Sequence, residues 1–424
     1  MTTLPKGDTL KRRIELSFDG VKNIILDQKM GSIFEQFGFK YLGPIDGHNI
    51  DMLMAALKYA KSFKGPILIH AITQKGKGHS PAESDPIKFH GVSPSSPTKS
   101  TSTLPSHSQI FGNTMIDICN KRDDVVVVTP AMIGGSGLTS FAKTHPDRLI
   151  DVGIAEEHAV TFCAGLSRVG TFPVLAIYST FLQRGYDQLI HDVCIQELPM
   201  IFALDRAGIT GQDGQTHHGV FDYAFMLPIP NMTILAPKDG KEIEEMLHWS
   251  VDQKRITSLR YSKADSYERP DIELTPFTSL SSEILIQPQL DHQIDVCIIG
   301  VGSMAWPSYE ACNSLSRSGL NTSCINLRVI KPLDTATLLP LVSSAKVIIV
   351  VEEGCAIGGV FHYLKDQLSH SCDASVIWKQ IALPDEFVDH GQTSSLRKKY
   401  NLHSDGIQSI ARTVISESIH IKNL

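Results

Sequence analysis

The stretch from Ala207 to Asp222, AGITGQDGQTHHGVFD, gathers glycines, the carboxylates Asp213 and Asp222 and the adjacent histidines His217 and His218 into one short segment. A plain connector does not need so many turn residues and titratable groups together, so this composition points to a loop that does chemistry. Adjacent side chains on an extended backbone point to opposite sides, so the two histidines do not serve one site together. Other candidates stand just after apolar runs, where ligands gather at the carboxyl ends of parallel strands. Glu156 follows RLIDVGIA and opens a helix, Tyr178 and Phe181 follow FPVLAI, and Arg206 follows PMIFALD. Each also has a plainer reading. An acidic residue is favoured at any helix N-terminus, aromatics at strand ends pack cores, and an arginine there makes surface or interdomain ion pairs. KGKGHSPAE (75–83) is either a phosphate or cofactor loop or a surface turn, and His90, in DPIKFHG, is on its own a solvated histidine. No spacing of histidines and carboxylates makes a metal site from protein groups alone.

The elements that must hold these residues alternate. DVVVVTP, RLIDVGI, FPVLAIYST, PMIFALD, TILAPKD and SLRYSK read as strands, and EEHAVTFCAGLSRVG, LQRGYDQLIHDVCIQE and KEIEEMLHWSVDQ as helices. Strands apolar along their whole length, between amphipathic helices, imply a parallel sheet covered on both faces. IDVCIIGVG, SYEACNSLSRSG, TSCINLRVI, TATLLPLVSS, KVIIVVEEG and ASVIWKQIALP repeat that grammar, so the fold class is α/β with doubly wound parallel sheets. A Ser/Thr/Pro-rich linker covers 91–107 and a weaker break, a crossing segment, runs from about 264 to 293. The expected parts are therefore 1–90, 108–265 and 290–424. The first part offers one helix, NIDMLMAALKYAKSF, and one buried strand, GPILIHAIT, too little for a doubly wound domain of its own.

The 424 residues, with mean hydropathy −0.02, carry 39 Lys and Arg against 45 Asp and Glu. The net charge of −6 provides no basic field for nucleic acid or an anionic membrane, though a local pair of cations still suffices for one phosphate. The cysteines are scattered without a C-x-x-C pair and read as buried thiols in a reducing compartment. The N-terminal stretch lacks an apolar leader core and no run is long enough to span a bilayer, so a cytoplasmic location is expected.

GPIDGH, KGKGHSPAESDPIKFHG, DVGIAEEHAVTFCAGL, YSTFLQRGYDQLIHDV, DRAGITGQDGQTHHGVFD, INLRVIKPLD and VVEEGCAIGG, in that order and spacing, resemble 1-deoxy-D-xylulose-5-phosphate synthase, a thiamine-diphosphate family of the transketolase group. The likeness runs from about Gly38 onward. It implies that 1–90 is the C-terminal remnant of a diphosphate-binding domain, that 108–265 is the pyrimidine-binding domain, and that 290–424 is the transketolase C-terminal domain. It further implies a transferase that condenses pyruvate with glyceraldehyde 3-phosphate, releasing carbon dioxide, for isoprenoid, thiamine and pyridoxal synthesis. Cofactors would be thiamine diphosphate and Mg2+, and a homodimer is the default. By motif, Glu156 bonds N1′ of the aminopyrimidine and Phe181 stacks on its ring. Tyr178, Arg206, Asp213 and His217 surround the acceptor, and His90 belongs to the segment that closes over the cofactor.

Three departures from the family pattern stand out. His79 replaces the usual tyrosine of the KG-x-G segment, keeping an aromatic ring with a polar tip. RYSKA replaces RYPRG, so Lys263 would hold the substrate phosphate without arginine's bidentate fork, which implies weaker acceptor binding. No GDG motif with a following asparagine is present, so magnesium ligands are missing, and the expectation is a chain that needs a GDG-bearing partner in trans. Two other readings stay open: a β-type subunit of a two-chain thiamine enzyme, such as a 2-oxoacid dehydrogenase or split transketolase, and an inactive truncated paralogue.

Overall fold

The computed structural model describes residues 33–86, 89–90, 104–267, 269, 271–289 and 291–421. Most of the linker expected at 91–107, and the start of the part expected at 1–90, lie outside these residues. The chain divides into two compact units, 1–101 and 102–424.

The first unit pairs β1 (Lys40–Asp46) with β2 (Ile67–Ile72) in parallel, joined by α1 (Ile50–Ser62). Asn49 caps α1 by accepting the Met52 N–H, and Leu42, Ile45 and Ala56 form a small core. The structure corrects two expectations here. KYLGPID is a second strand, because Leu42 and Ile45 bury under α1, and GPILIHAIT is only half-buried.

In the second unit the chain builds a seven-stranded sheet in the order β12-β7-β8-β6-β5-β3-β4 and a five-stranded sheet in the order β14-β13-β10-β11-β9. The first holds β3 (Val125–Thr129), β4 (Leu149–Asp151), β5 (Phe172–Tyr178), β6 (Met200–Asp205), β7 (Thr233–Leu235) and β8 (Ile256–Arg260) in parallel. The second is built on β10 (Ile294–Val301), β11 (Thr322–Leu327), β13 (Ala345–Cys355) and β14 (Ile377–Leu383), also parallel. Burial of β5, β6 and β8 almost along their whole length accounts for their unbroken apolar runs. Each sheet has one antiparallel edge. β9 (Glu283–Ile286) lies in the segment expected only to cross between domains and pairs with β11. TSCINLRVI is not one strand: after β11 the chain turns at the fully buried Arg328 and continues as β12 (Val329–Lys331), which pairs with β7 of the other sheet.

Helices α2 (His107–Lys121), α3 (Glu156–Arg168), α4 (Gly240–Gln253), α5 (Ala305–Arg317), α6 (Val360–Leu368), α7 (Thr393–Lys399) and α8 (Ser404–Ile421) cover the sheets. One apolar core runs through both layers, from Val160, Leu175 and Phe202 to Ile299, Ile325 and Val350. The segment expected as a single helix after Phe181 is instead a 3-10 stretch (Ser179–Gly185), one α turn (Tyr186–Gln188) and a π stretch (Leu189–Cys194). All eight cysteines are free thiols, six of them buried. Among the described residues no helix is long and apolar enough to cross a membrane.

Candidate active site

β4 ends just before α3, so Glu156 stands at the helix start, where the backbone N–H groups favour a carboxylate. Its side chain is only 4% exposed. Arg184 donates to Glu156 Oε2 at 3.0 Å, and among the described residues no donor reaches Oε1. A buried carboxylate with one free oxygen can take a hydrogen bond from a ligand.

The same 3-10 stretch that carries Arg184 carries Phe181. The Phe181 ring stacks on Tyr178 with centroids 5.5 Å apart and meets His217 edge-on at 5.4 Å. Tyr178 closes β5, and burial pushes its phenol up to about 12, so it stays a neutral donor. Gly135 lies against it: a Cβ there would collide with the Tyr178 hydroxyl.

β6 ends on Asp205, and Arg206 follows in a left-handed backbone (φ +58), which costs a non-glycine residue about 1–2 kcal/mol. The Asp205 carboxylate holds that turn by accepting the Arg206 N–H at 2.6 Å. The guanidinium lies 3.9 Å over the Tyr178 ring, donates to the Gly135 carbonyl at 2.8 Å and sits 3.6 Å from Asp213. Asp213 also accepts from Lys263 at 2.7 and 2.9 Å. Arg206 and Lys263 line a cleft of about 560 Å³ with Gly134, Gly135, Ser106 and Ser108, where α2 begins. Asp265 also lines the cleft, and Arg206 lies 3.4 Å from Asp205, so the groups there that can take an anion are the two cations, once freed from Asp213, and the N-terminus of α2.

The second unit thus brings Tyr178, Phe181, Arg206, Asp213, His217 and Lys263 into one chain of contacts, and Glu156 joins it through the turn it shares with Phe181. Of the adjacent histidines, His217 is half-buried against Phe181 and bonds Thr216 Oγ1 at 3.0 Å, whereas His218 is buried and turned the other way. In the first unit the His79 ring packs edge-on against Phe89 at 5.5 Å, and Lys75 Nζ donates to His90 Nδ1 at 2.8 Å, which leaves the proton on Nε2.

Asp205, Arg184 and Gly135 were not singled out by sequence. Asp205 is fully buried, and burial pushes its carboxyl up to about 6 against the pull of Arg206 and Ser108. A carboxylate closing the run MIFAL was the available signal. Arg184, three residues after Phe181 on a tight turn, had a weaker one.

Residues 105–267 match the model of the transketolase pyrimidine-binding domain, 288–407 that of the transketolase C-terminal domain, and 2–73 the 1-deoxy-D-xylulose-5-phosphate synthase model. Proteins named 1-deoxy-D-xylulose-5-phosphate synthase are 42% identical in Halothermothrix orenii, over 99% of this chain and 66% of the relative, and 42% identical in Natranaerobius thermophilus, over 94% and 63%. Over nearly its whole length the chain is similar to 1-deoxy-D-xylulose-5-phosphate synthases. It spans 60–66% of the length of the curated relatives it matches. Its fold is that of a split-gene transketolase solved as an inactive β4 tetramer (TM-score 0.65, 21% identity, 74% of this chain and 99% of that one). Pichia stipitis transketolase in complex with sedoheptulose 7-phosphate is similar too (TM-score 0.62, 15% identity, 74% and 46%). The match of 2–73 and the names of the relatives speak against the β-subunit and inactive-paralogue readings.

Proposed function

We propose that this chain forms the pyrimidine-side and acceptor-side half of a thiamine-diphosphate transferase that joins pyruvate to glyceraldehyde 3-phosphate, yielding 1-deoxy-D-xylulose 5-phosphate and carbon dioxide. The observation that carries the reading is Glu156: a buried carboxylate with one oxygen held by Arg184 and the other without a donor among the described residues, beside the turn that bears Phe181. These residues fit an aminopyrimidine. Glu156 would hold its ring nitrogen and share a proton there, which burial protects from exchange with water. Phe181 would hold the ring face, a stacking worth about 0.5–1.5 kcal/mol beyond area burial. Thiamine diphosphate, when bound, supplies the ylid and the electron sink.

The described residues do not fit the other end of that cofactor. Among them no group of three or more His, Cys, Asp and Glu side chains can hold a metal, and the 424 residues contain no GDG. No step is assigned to magnesium, and the diphosphate side is assigned to residues outside those described, of this polypeptide or of a second chain.

On the acceptor side, Arg206 and Lys263 take the phosphate, and Asp213, released from Lys263, accepts from a substrate hydroxyl. His217 moves a proton at the aldehyde oxygen. His79 and His90 keep, as proposals for the first unit by itself, contact with the cofactor and with the reacting substrate. A cytoplasmic homodimer completes the proposal, with support from the family and the unpaired thiols.

Incubating the chain with pyruvate, glyceraldehyde 3-phosphate, thiamine diphosphate and magnesium, with and without a GDG-bearing polypeptide, tests the reading. The expected result is product in the presence of the diphosphate side and none with Glu156→Ala. No product under either condition overturns it.

A further inference from the structure

We propose that the C-terminal domain latches the loop presenting Asp213 and His217, and that His218 is the positioning residue through which it does so. The proposal rests on the functional reading above for the roles of Asp213 and His217; the latch itself is a statement about how the loop is held.

His218 is 3% exposed. Its Nδ1 accepts the backbone N–H of Thr210 at 3.0 Å, and its Nε2 donates to the carbonyl of Asp389 at 3.2 Å. A backbone N–H can only donate and a carbonyl can only accept, so the lone pair must lie on Nδ1 and the proton on Nε2. Both nitrogens are committed, which leaves the ring no part in proton transfer. One end of it grips the start of the loop, the other the segment leading into α7.

The same segment holds the loop elsewhere. The Gly391 N–H donates to the Gly211 carbonyl at 3.3 Å, and Gln215 Nε2 donates to Asp389 Oδ1 at 3.2 Å. Gly211 has φ +77, and a Cβ on it would lie 2.6 Å from Thr393 Oγ1, so only glycine permits this approach.

Behind the latch the C-terminal domain is fixed. Arg397 of α7 forms a bidentate pair with the fully buried Glu353 at 2.7 and 2.9 Å, and the Glu353 carbonyl accepts from Arg260 at 2.7 Å. Asp213 and His217 lie between Thr210 and His218, inside the latched span. His217, on the opposite side of the backbone, is thereby aimed at Phe181.

The test compares His218→Leu, which fills the volume but makes neither bond, with His218→Gln, whose amide offers an acceptor and a donor at similar separation. The readouts are hydrogen–deuterium exchange of the full chain and kinetics of the enzyme assembled with its diphosphate side. In His218→Leu, peptides covering 208–219 should exchange on the order of tenfold faster or more, the change expected from losing one buried and one partly buried hydrogen bond, with β6 unaffected. His218→Gln should exchange like the wild type. In the assembled enzyme, His218→Leu should lower kcat/KM for the acceptor about tenfold with unchanged affinity for thiamine diphosphate, and His218→Gln should restore it.

Wild-type exchange in His218→Leu, or equal loosening in both variants, overturns the latch. Should His218→Leu not fold, Gly211→Ala strains a second contact of the same loop with the segment leading into α7. It should loosen the same peptides, and unchanged exchange there is equally fatal. A loosened loop in a chain whose wild type shows no synthase activity with a diphosphate side refutes the proposed function and leaves the latch standing.

Discussion

Asp205→Asn should stabilise the protein at neutral and alkaline pH while doing little in acid. Asp205 has no exposed surface, and burial raises its carboxyl from the ordinary 3.8 to about 6. Below about pH 4 the group is protonated both folded and unfolded. Between about 4 and 6 the unfolded chain releases the proton while the folded one keeps it, so each rising pH unit removes about 1.4 kcal/mol of stability. Above pH 6 the full cost, about 3 kcal/mol, persists. Asparagine does not ionise. Its carbonyl can still accept the Arg206 N–H, and the Ser108 hydroxyl, which now donates to Oδ2 at 2.7 Å, can turn to accept from the amide. The advantage of the variant should grow by about 2 kcal/mol from pH 4.5 to 8, or about 4–8 °C in midpoint for a domain of this size. Thermal unfolding of both proteins across that range measures it, and other titrations cancel in the difference. A gap that does not change with pH, or that narrows as pH rises, refutes the reasoning.

Two further outcomes follow from the site and its support. Lys263→Ala should raise KM for glyceraldehyde 3-phosphate about tenfold and leave unphosphorylated glyceraldehyde unaffected, and Lys263→Arg should lower it by adding a fork; equal effects on both substrates contradict the phosphate role. Arg397→Ala should cost about 3–5 kcal/mol in urea unfolding, because it leaves the buried Glu353 without its cation. Pairing Arg397→Met with Glu353→Gln should cost less than that single change, and a larger loss speaks against the ion pair's burial.

The doubly wound pattern was legible because β5, β6, β8, β10 and β13 are buried almost end to end, and unbroken apolar runs follow directly from that. The turn after Phe181 was not. Leu182, Leu189 and Val193 are buried at helical intervals, and apolar period does not distinguish i+3, i+4 and i+5 bonding. Nor did any local pattern foretell that the chain would pass from β11 to β12 and so from one sheet to the other. The crossing depends on Arg328, which bonds Glu242, the Thr275 carbonyl and the Ser281 carbonyl, all distant in sequence. Asp205 escaped for the same reason: its partner Ser108 comes from another element, and buried polar groups are defined by such distant partners. Glu156 and Arg206 could be singled out because each follows an apolar strand, where the chain must leave the sheet.

The most direct test is the rate at which the thiazolium C2 proton of thiamine diphosphate exchanges with deuterium in the assembled holoenzyme, wild type against Glu156→Gln. Glutamine keeps the shape but cannot share a proton with the ring nitrogen. Exchange in the variant should be slower by about two orders of magnitude or more, with the cofactor still bound in a calorimetric titration. Exchange at the wild-type rate in a variant that binds the cofactor fully would mean that Glu156 does not act on the pyrimidine.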